Sequence, residues 1–301
     1  MITASLLKRL DLATLRLIIA VDEEKTLTRA AKREALAVSA ASKRLTDLEA
    51  ILGVELFQRQ ATGMVLTAAG ETLLHHAQRI MFDVEKIGVE LSEHARGLRG
   101  YVRILANLSS IIQFLPEDLE NFLAHNEMAG VHLEERPSGG VVEGVEQGRA
   151  EIGICSALTD CRELKQLPYR RDRLVVVMRP DHPLTGRDKL SFQDTLDFDQ
   201  VGLHADSSIF LSARKAARRA GRQLKLRIHV PGFDAVCRMV QANMGLGIIP
   251  DGAFAMLGPA LKLEARPLTD DWAYRMLKIV FRDENSLSPV GRQLIEHLRT
   301  H

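Results

Sequence analysis

The hydrophobic pattern of this 301-residue chain changes period at Gly100. Before that point apolar residues recur at helical spacing, in stripes broken by short polar turns. After it, short β-like apolar runs alternate with helical stretches. The first pattern buries itself helix against helix, the second as α/β layers, so the chain must carry at least two domains. Its length is ample for both. No apolar run reaches the roughly 18 residues of a membrane span. Residues 1–9 hold no long apolar core ahead of a cleavage site, so export is not expected. Cys155, Cys161 and Cys237 form an odd set without ligand-like or C-x-x-C spacing. They are expected to be buried, reduced thiols of a cytoplasmic protein, favoured over a metal site or a redox pair.

In the helical part, Leu12, Leu15, Ile18 and Ile19 form a stripe over residues 11–23. Thr26 fits the cap of a second helix running through the small pair Ala30-Ala31. A third helix is expected to start near Val38 or Ser39. It would turn Ala41, Leu45 and Leu48 inward and Ser39, Ser42, Lys43 and Thr46 outward. Two short helices meeting at small residues, followed by a polar and basic face, suit a helix-turn-helix whose second helix enters the DNA major groove. Charge supports this. Residues 25–46 carry Lys25, Arg29, Lys32, Arg33, Lys43 and Arg44 against Glu34 alone, a local +5 in a chain whose net charge is +1. Such an excess is the footprint of a phosphate-binding surface. Residues 52–59, a turn at Ala61-Thr62-Gly63 and residues 64–67 then read as a β-hairpin wing, with Arg59 at its base able to reach a minor groove or a phosphate.

Thr67 is a fitting cap for a long helix in which Leu73, Ala77, Ile80, Val84, Ile87 and Leu91 follow at spacings of 4, 3, 4, 3 and 4. This narrow heptad seam suits pairing with another helix better than docking on a globular core. A dimer would also present two recognition helices to a palindromic site.

These segments resemble the DNA-binding half of LysR-type transcriptional regulators over residues 11–80. "TLTRAA" at 26–31, "SAASKRLTDLE" at 39–49, "LGVELFQR" at 52–59 and "LTAAGETLL" at 66–74 carry the likeness. The resemblance implies a DNA-contacting set of Arg29, Val38, Ser39, Ser42, Lys43, Arg44 and Arg59. Two departures stand out. Val38 and Ser39 occupy the place of the Gln-Pro pair with which many relatives open the recognition helix, and valine cannot make glutamine's paired contact with adenine. Glu34 stands where the family usually has an apolar core residue, and is expected to angle outward towards Lys32 or Arg33.

Beyond Gly100, strands are expected at 101–105, 131–136, 151–154, 174–178, 201–203, 226–230, 246–249 and 277–281. Helices are expected at 116–125, 141–147, 208–220, 234–243 and 289–299. "GVEQGRAEIGI" at 144–154, "RRDRLVVVMRPDHPL" at 170–184 and "VQANMGLGIIP" at 240–250 resemble the two-lobed, periplasmic-binding-protein-like effector domain of the same family. The expected organisation is therefore a winged helix-turn-helix over 1–67, a linker and dimerisation helix over 68–97, and an α/β effector domain over 98–301. One lobe of that domain would take 98–170 with 268–301, the other 171–267. Serines and glycines at helix starts (Ser109, Ser110, Ser138, Gly139, Ser207, Ser208 and Gly232, with Phe233 as an apolar wall) point to an effector site between the lobes, suited to a small anion.

The partners implied are operator DNA, a small-molecule effector and further copies of the chain, as a dimer or a dimer of dimers. The resemblance also admits RNA polymerase as a partner; no membrane and no cofactor is expected. An enzyme is disfavoured because GxSxG, Walker, HExxH and dinucleotide motifs are absent. His75-His76 point to different helix faces, and Gly245-x-Gly247 precedes a strand rather than a helix. A solute-binding transport protein leaves the N-terminal module unexplained. An architectural DNA binder leaves two hundred residues of sensor without a role.

Overall fold

The computed structural model describes residues 10–60, 63–96 and 100–300, without the side chains of residues 59, 82, 85, 86 and 88–96. The chain divides into two compact units, the first taking the residues up to Arg96 together with Gln147–Arg149, the second the remainder.

The first unit opens with three helices: α1 (Leu12–Glu24), α2 (Leu27–Arg33) and α3 (Val38–Leu52). Asp11 caps α1 by accepting from the Thr14 N–H, and Thr26 caps α2. Lys25, in the left-handed region at φ 57°, makes the turn between them. Leu17, Ile18, Val21, Ala30, Ala31, Ala41, Leu45 and Leu48 form the core. The small pair Ala30-Ala31 is fully buried there, so α2 can approach its neighbours closely. Glu34 lies only 13% exposed and meets Arg16 of α1, Nε to Oε2, at 3.0 Å. The expected partner Arg33 instead takes Glu23 and Glu24. That corrects the expectation for Glu34: a half-buried carboxylate at the end of α2 is tied to α1 rather than angled along its own helix.

The wing is an antiparallel pair, β1 (Phe57–Gln60) and β2 (Gly63–Leu66). Glu49 of α3 accepts from the backbone N–H groups of Leu56 and Phe57, at 2.8 and 3.4 Å, and so fixes the wing's origin on the third helix. Thr67 does cap the long helix α4 (Ala68–Arg96), accepting from the Gly70 N–H at 3.1 Å. Gly70 is required: a Cβ there would stand 2.1 Å from the Leu56 carbonyl oxygen. Of the heptad seam, Leu73 packs on the unit's own core and Ala77 is fully buried. Ile80, Val84 and Ile87 stand 38%, 37% and 56% exposed. The side chain of Leu91, like that of Arg59 and the turn pair 61–62, falls outside the described residues.

The second unit is built on one mixed sheet whose strands run in the order β4-β3-β5-β11-β6-β9-β7-β8, with β10 also pairing β6. They are β3 (Gly100–Ala106), β4 (Ala129–Glu135), β5 (Ile152–Ser156), β6 (Lys165–Met178), β7 (Gln200–Gly202), β8 (Leu226–His229), β9 (Leu246–Pro250), β10 (Glu264–Pro267) and β11 (Tyr274–Phe281). The helices are α5 (Leu108–Gln113), α6 (Leu115–His125), α7 (Ser138–Glu146), α8 (Ser208–Arg219), α9 (Phe233–Gln241), α10 (Asp251–Leu257) and α11 (Pro289–Thr300). Strand β6 is longer than the apolar run at 174–178 suggested, because its polar first half, from Lys165, pairs with β11. Its apolar second half pairs with β9 and β10. One strand therefore belongs to both lobes, each with its own core. Gly245, at φ +138°, sits so near the Asp199 carbonyl that a Cβ would come within 2.4 Å. The Gly245-x-Gly247 pair serves backbone packing, as its context before a strand suggested.

Candidate functional site

On α3 the expected polar face is the exposed one: Val38, Ser39, Lys43 and Thr46 are open to solvent and Ser42 is half-buried. Ala41, Leu45 and Leu48 hold the opposite face in the core. The basic residues of the +5 segment separate into two groups. Lys25 pairs with Asp22 at 2.8 Å, Arg33 with Glu23 and Glu24, and Arg44 with Asp11 at 2.9 Å. Arg29, Lys32 and Lys43 are exposed and form no ion pair among the described residues. Arg44 also reaches the Thr14 hydroxyl at 3.0 Å. Burial works against the Asp11 charge, but the hydrogen bonds from Arg44 and Thr14 outweigh it and hold the carboxyl below its ordinary range. Arg44 thus staples α3 to the start of α1. Since both side chains remain substantially exposed, the pair orients more than it stabilises.

In the second unit a small cavity opens between the lobes. Ser109, Ser138, Ser207, Ser208 and Phe233 line it, as expected. The structure adds Asn107, His204 and Glu135 from the ends of strands. Ser110 does not belong to the lining: it is buried, and with Asn107 it closes the first turn of α5, its N–H donating to Asn107 Oδ1 at 3.0 Å. Gly139 and Gly232 also fall outside the lining. Gly139 is exposed, and Gly232 is the residue before α9. A residue needed for a helix start and one facing a ligand look alike in sequence, which is why this set divided.

The serines differ in what they have left to offer. Ser138 Oγ already accepts from Asn107 Nδ2 at 3.3 Å and from the Ser156 N–H at 3.1 Å. Its own hydroxyl proton remains free to donate. Ser207 and Ser208, at the start of the twelve-residue α8, have no side-chain cap bond. Both line the cavity, as do Ser138 and Phe233, the first residues of α7 and α9. Three helix N-termini around one space favour negative charge.

Behind Ser109 lies an ion pair that sequence reading missed. Arg275 of β11 and Asp172 of β6 are register partners in the sheet, with side chains 3% and 1% exposed. Arg275 Nε donates to Asp172 Oδ1 at 2.8 Å, and Nη2 donates to Asp172 Oδ2 and, at 3.1 Å, to Ser109 Oγ. Gln113 Nε2 donates to Asp172 Oδ2 at 3.0 Å. Arg275 Nη1 is buried without a partner. The signal was present: an arginine, like Lys278 further on, inside a strand that is mostly apolar.

Residues 12–71 match the family described as "Bacterial regulatory helix-turn-helix protein, lysR family", and residues 95–301 match the "LysR substrate binding domain". The chain belongs to the LysR family. It is a LysR-type DNA-binding transcriptional regulator with a substrate-binding effector domain. Among its LysR relatives, the HTH-type transcriptional regulator GbpR of Azospirillum brasilense is 30% identical over 298 residues, 97% of this chain and 86% of that protein. Full-length CbnR in complex with its target DNA shares the fold at TM-score 0.67 and 22% identity, covering 97% of this chain and 99% of that one. The effector-binding domain of QuiR in complex with shikimate aligns at TM-score 0.59 and 17% identity, over 67% of this chain and 96% of that one.

Breaking the hinge pair leaves a buried charge uncompensated, a loss of about 3–5 kcal/mol. Asp172→Ala should therefore lower the thermal unfolding midpoint by roughly 6–15 °C. The double replacement Asp172→Leu with Arg275→Met should recover most of that loss. Scanning calorimetry of the three proteins checks both statements; an Asp172→Ala midpoint within a degree or so of the parent would show that the pair carries no such weight.

Proposed function

We propose that this LysR-type regulator works in the cytoplasm and resets its hold on operator DNA when a small anionic metabolite enters the interlobe cleft. The observation that carries the reading is the convergence of Ser138, Ser207 and Ser208 with three helix N-termini on one cavity walled by Phe233. The shikimate complex of the QuiR effector domain, a fold neighbour, supports a small-molecule site in such a domain. Glu135 on the rim adds a condition. An exposed carboxylate repels a bare anion, so the metabolite carries a hydrogen-bond donor or cationic group beside its acidic one. Closure around it shifts DNA binding only to the extent that it prefers one lobe arrangement.

In the same reading, residues 1–67 read DNA, 68–97 join two copies and 98–301 sense the effector. Ser39, Ser42 and Lys43 face base edges, while Arg29 and Arg59 grip the backbone. Val38 sits at the helix start beside them, and Arg44 acts through its hold on Asp11. CbnR in complex with its target DNA supports the placement of this module on a duplex. The exposed Ile80, Val84 and Ile87 form the remaining seam for a partner helix, as a dimer or within a dimer of dimers.

Three measurements test this. Lys43→Ala should reduce discrimination between operator and random duplex, at a cost of about 1–3 kcal/mol, whereas Arg29→Ala should weaken all duplexes alike and lower the salt slope by roughly one. Fluorescence titrations over a salt series read both, and equal effects on discrimination would refute the division. Ile80→Glu with Val84→Glu should dissociate the dimer, because charge cannot be buried unpaired in the seam; an unchanged mass by light scattering would place the interface elsewhere. A thermal-shift screen of hydroxy and amino carboxylates should find a stabiliser of the full chain. Ser207→Asp should abolish that shift while operator binding survives, and a stabiliser indifferent to Ser207→Asp would remove the cleft from the account.

A further inference from the structure

Beneath the turn that joins β5 to β6, the thiols of Cys155 and Cys161 lie 3.9 Å apart. Both are buried, in a small cluster with Val141, Val142 and Val145 of α7 and with Leu164. The turn above them is at the surface, with Leu158 and Asp160 exposed. Lys278 of β11, the register partner of Cys155, extends into the same place. Its ammonium donates to the Ala157 carbonyl at 3.3 Å, the Thr159 carbonyl at 3.0 Å and Gln166 Oε1 at 2.9 Å. All three acceptors are neutral, Lys278 is only 8% exposed, and no carboxylate pairs with it among the described residues. A buried cation needs a counter-charge; the ionisable groups beside it are the two thiols and the exposed Asp160 of the turn, whose charge raises the Cys161 thiol and so works against its thiolate. The hydrogen bond with Cys155, and then Lys278, hold the Cys161 thiol down at about 6. The same hydrogen bond, with burial, drives Cys155 far upward. One thiolate is thus stabilised next to one retained thiol.

We propose that Cys161 is an oxidant-reactive thiolate and Cys155 its resolving partner, so that this turn is a thiol–disulfide switch responding to hydroperoxides. The Cys161 thiolate attacks one peroxide oxygen; an S–O bond forms, the O–O bond breaks, and hydroxide leaves, taking a proton to become water. The Cys155 thiol then attacks the sulfenic sulfur of Cys161. The S–S bond forms, the S–O bond breaks, and the Cys155 proton leaves with that oxygen as a second water. Two thiols lose two electrons and the peroxide is reduced to water. Closing the bond draws the sulfurs from 3.9 Å to about 2.05 Å. That contraction acts on α7 through the valines packed against the pair. It also acts on Ser156, next to Cys155, whose N–H is bonded to Ser138 Oγ. Ser138 lines the cleft, so oxidation alters the effector site as well; only this last consequence rests on the cleft reading above.

The chemistry is testable on the full chain without any effector. Trypsin releases residues 150–162 as one peptide holding both cysteines, while Cys237, buried and pushed up to about 11, serves as the internal control. After mild hydrogen peroxide and alkylation of free thiols, the 150–162 peptide should appear unalkylated and lighter by two hydrogens, with Cys237 still alkylated. Without oxidant, iodoacetamide should modify Cys161 roughly tenfold or more faster than Cys237, with a midpoint near 6 in the pH–rate profile. Cys155→Ser should halt at a sulfenic acid that dimedone captures, and Lys278→Gln should slow oxidation by roughly tenfold. Near-UV circular dichroism confirms that each protein is folded. Equal alkylation of Cys161 and Cys237 in the native wild type, or a 150–162 peptide that stays fully reduced, overturns the proposal and leaves the cleft assignment untouched.

Discussion

The Asp172–Arg275 pair is the interaction on which the sensor unit turns. β6 passes from one lobe into the other immediately after Asp172, and β11 begins just before Arg275 on the return. The two opposite charges are therefore locked together where both chain crossings lie. Charges this deep survive only when nearly every donor and acceptor is met. Here Ser109 and Gln113 supply the additional bonds, and both belong to α5 at the edge of the cleft. Ser109 is consequently shared between ligand cavity and hinge. A ligand that competes for its hydroxyl changes the environment of Arg275, whose Nη1 has no other partner. The cavity lining and the interlobe ion pair meet at one oxygen atom.

The DNA-binding unit uses charge differently. Half of the basic side chains that give its segment a strong positive excess are held by carboxylates on α1 and at its ends. Those pairs set helix directions, since α3 is tied to Asp11 by Arg44 and to the wing by Glu49. Arg29, Lys32 and Lys43 are left to meet a polyanion. Counting charges along the chain overstated the binding surface for this reason: the balancing acids, Asp11, Asp22, Glu23 and Glu24, lie outside the window but close in space.

Elements with a strong period were legible. α1, α3, α4 and the apolar strands appeared where their stripes placed them, because burial on one face is what writes such a pattern. Short α5 and α10 and the polar half of β6 were not legible, since their structure comes from partners far along the chain. The cleft serines followed the same logic. Ser138, Ser207 and Ser208 line the cavity and Ser110 does not, because a serine that caps a helix start and one that faces the cavity share the same local signature. Asp172 and Arg275 are 103 residues apart, and no local pattern joins them. Glu34 was misassigned for a related reason: Arg16, its partner, lies on another helix.

The 29-residue α4 acts as a lever for the reading head. Leu73 and Leu74 bond its first turns into the same core that holds α3, so helix and head move as one body. At 1.5 Å per residue it is about 43 Å long. A tilt of about 10° at its far end therefore carries the head through roughly 7 Å, two base-pair steps along a duplex at about 3.4 Å each.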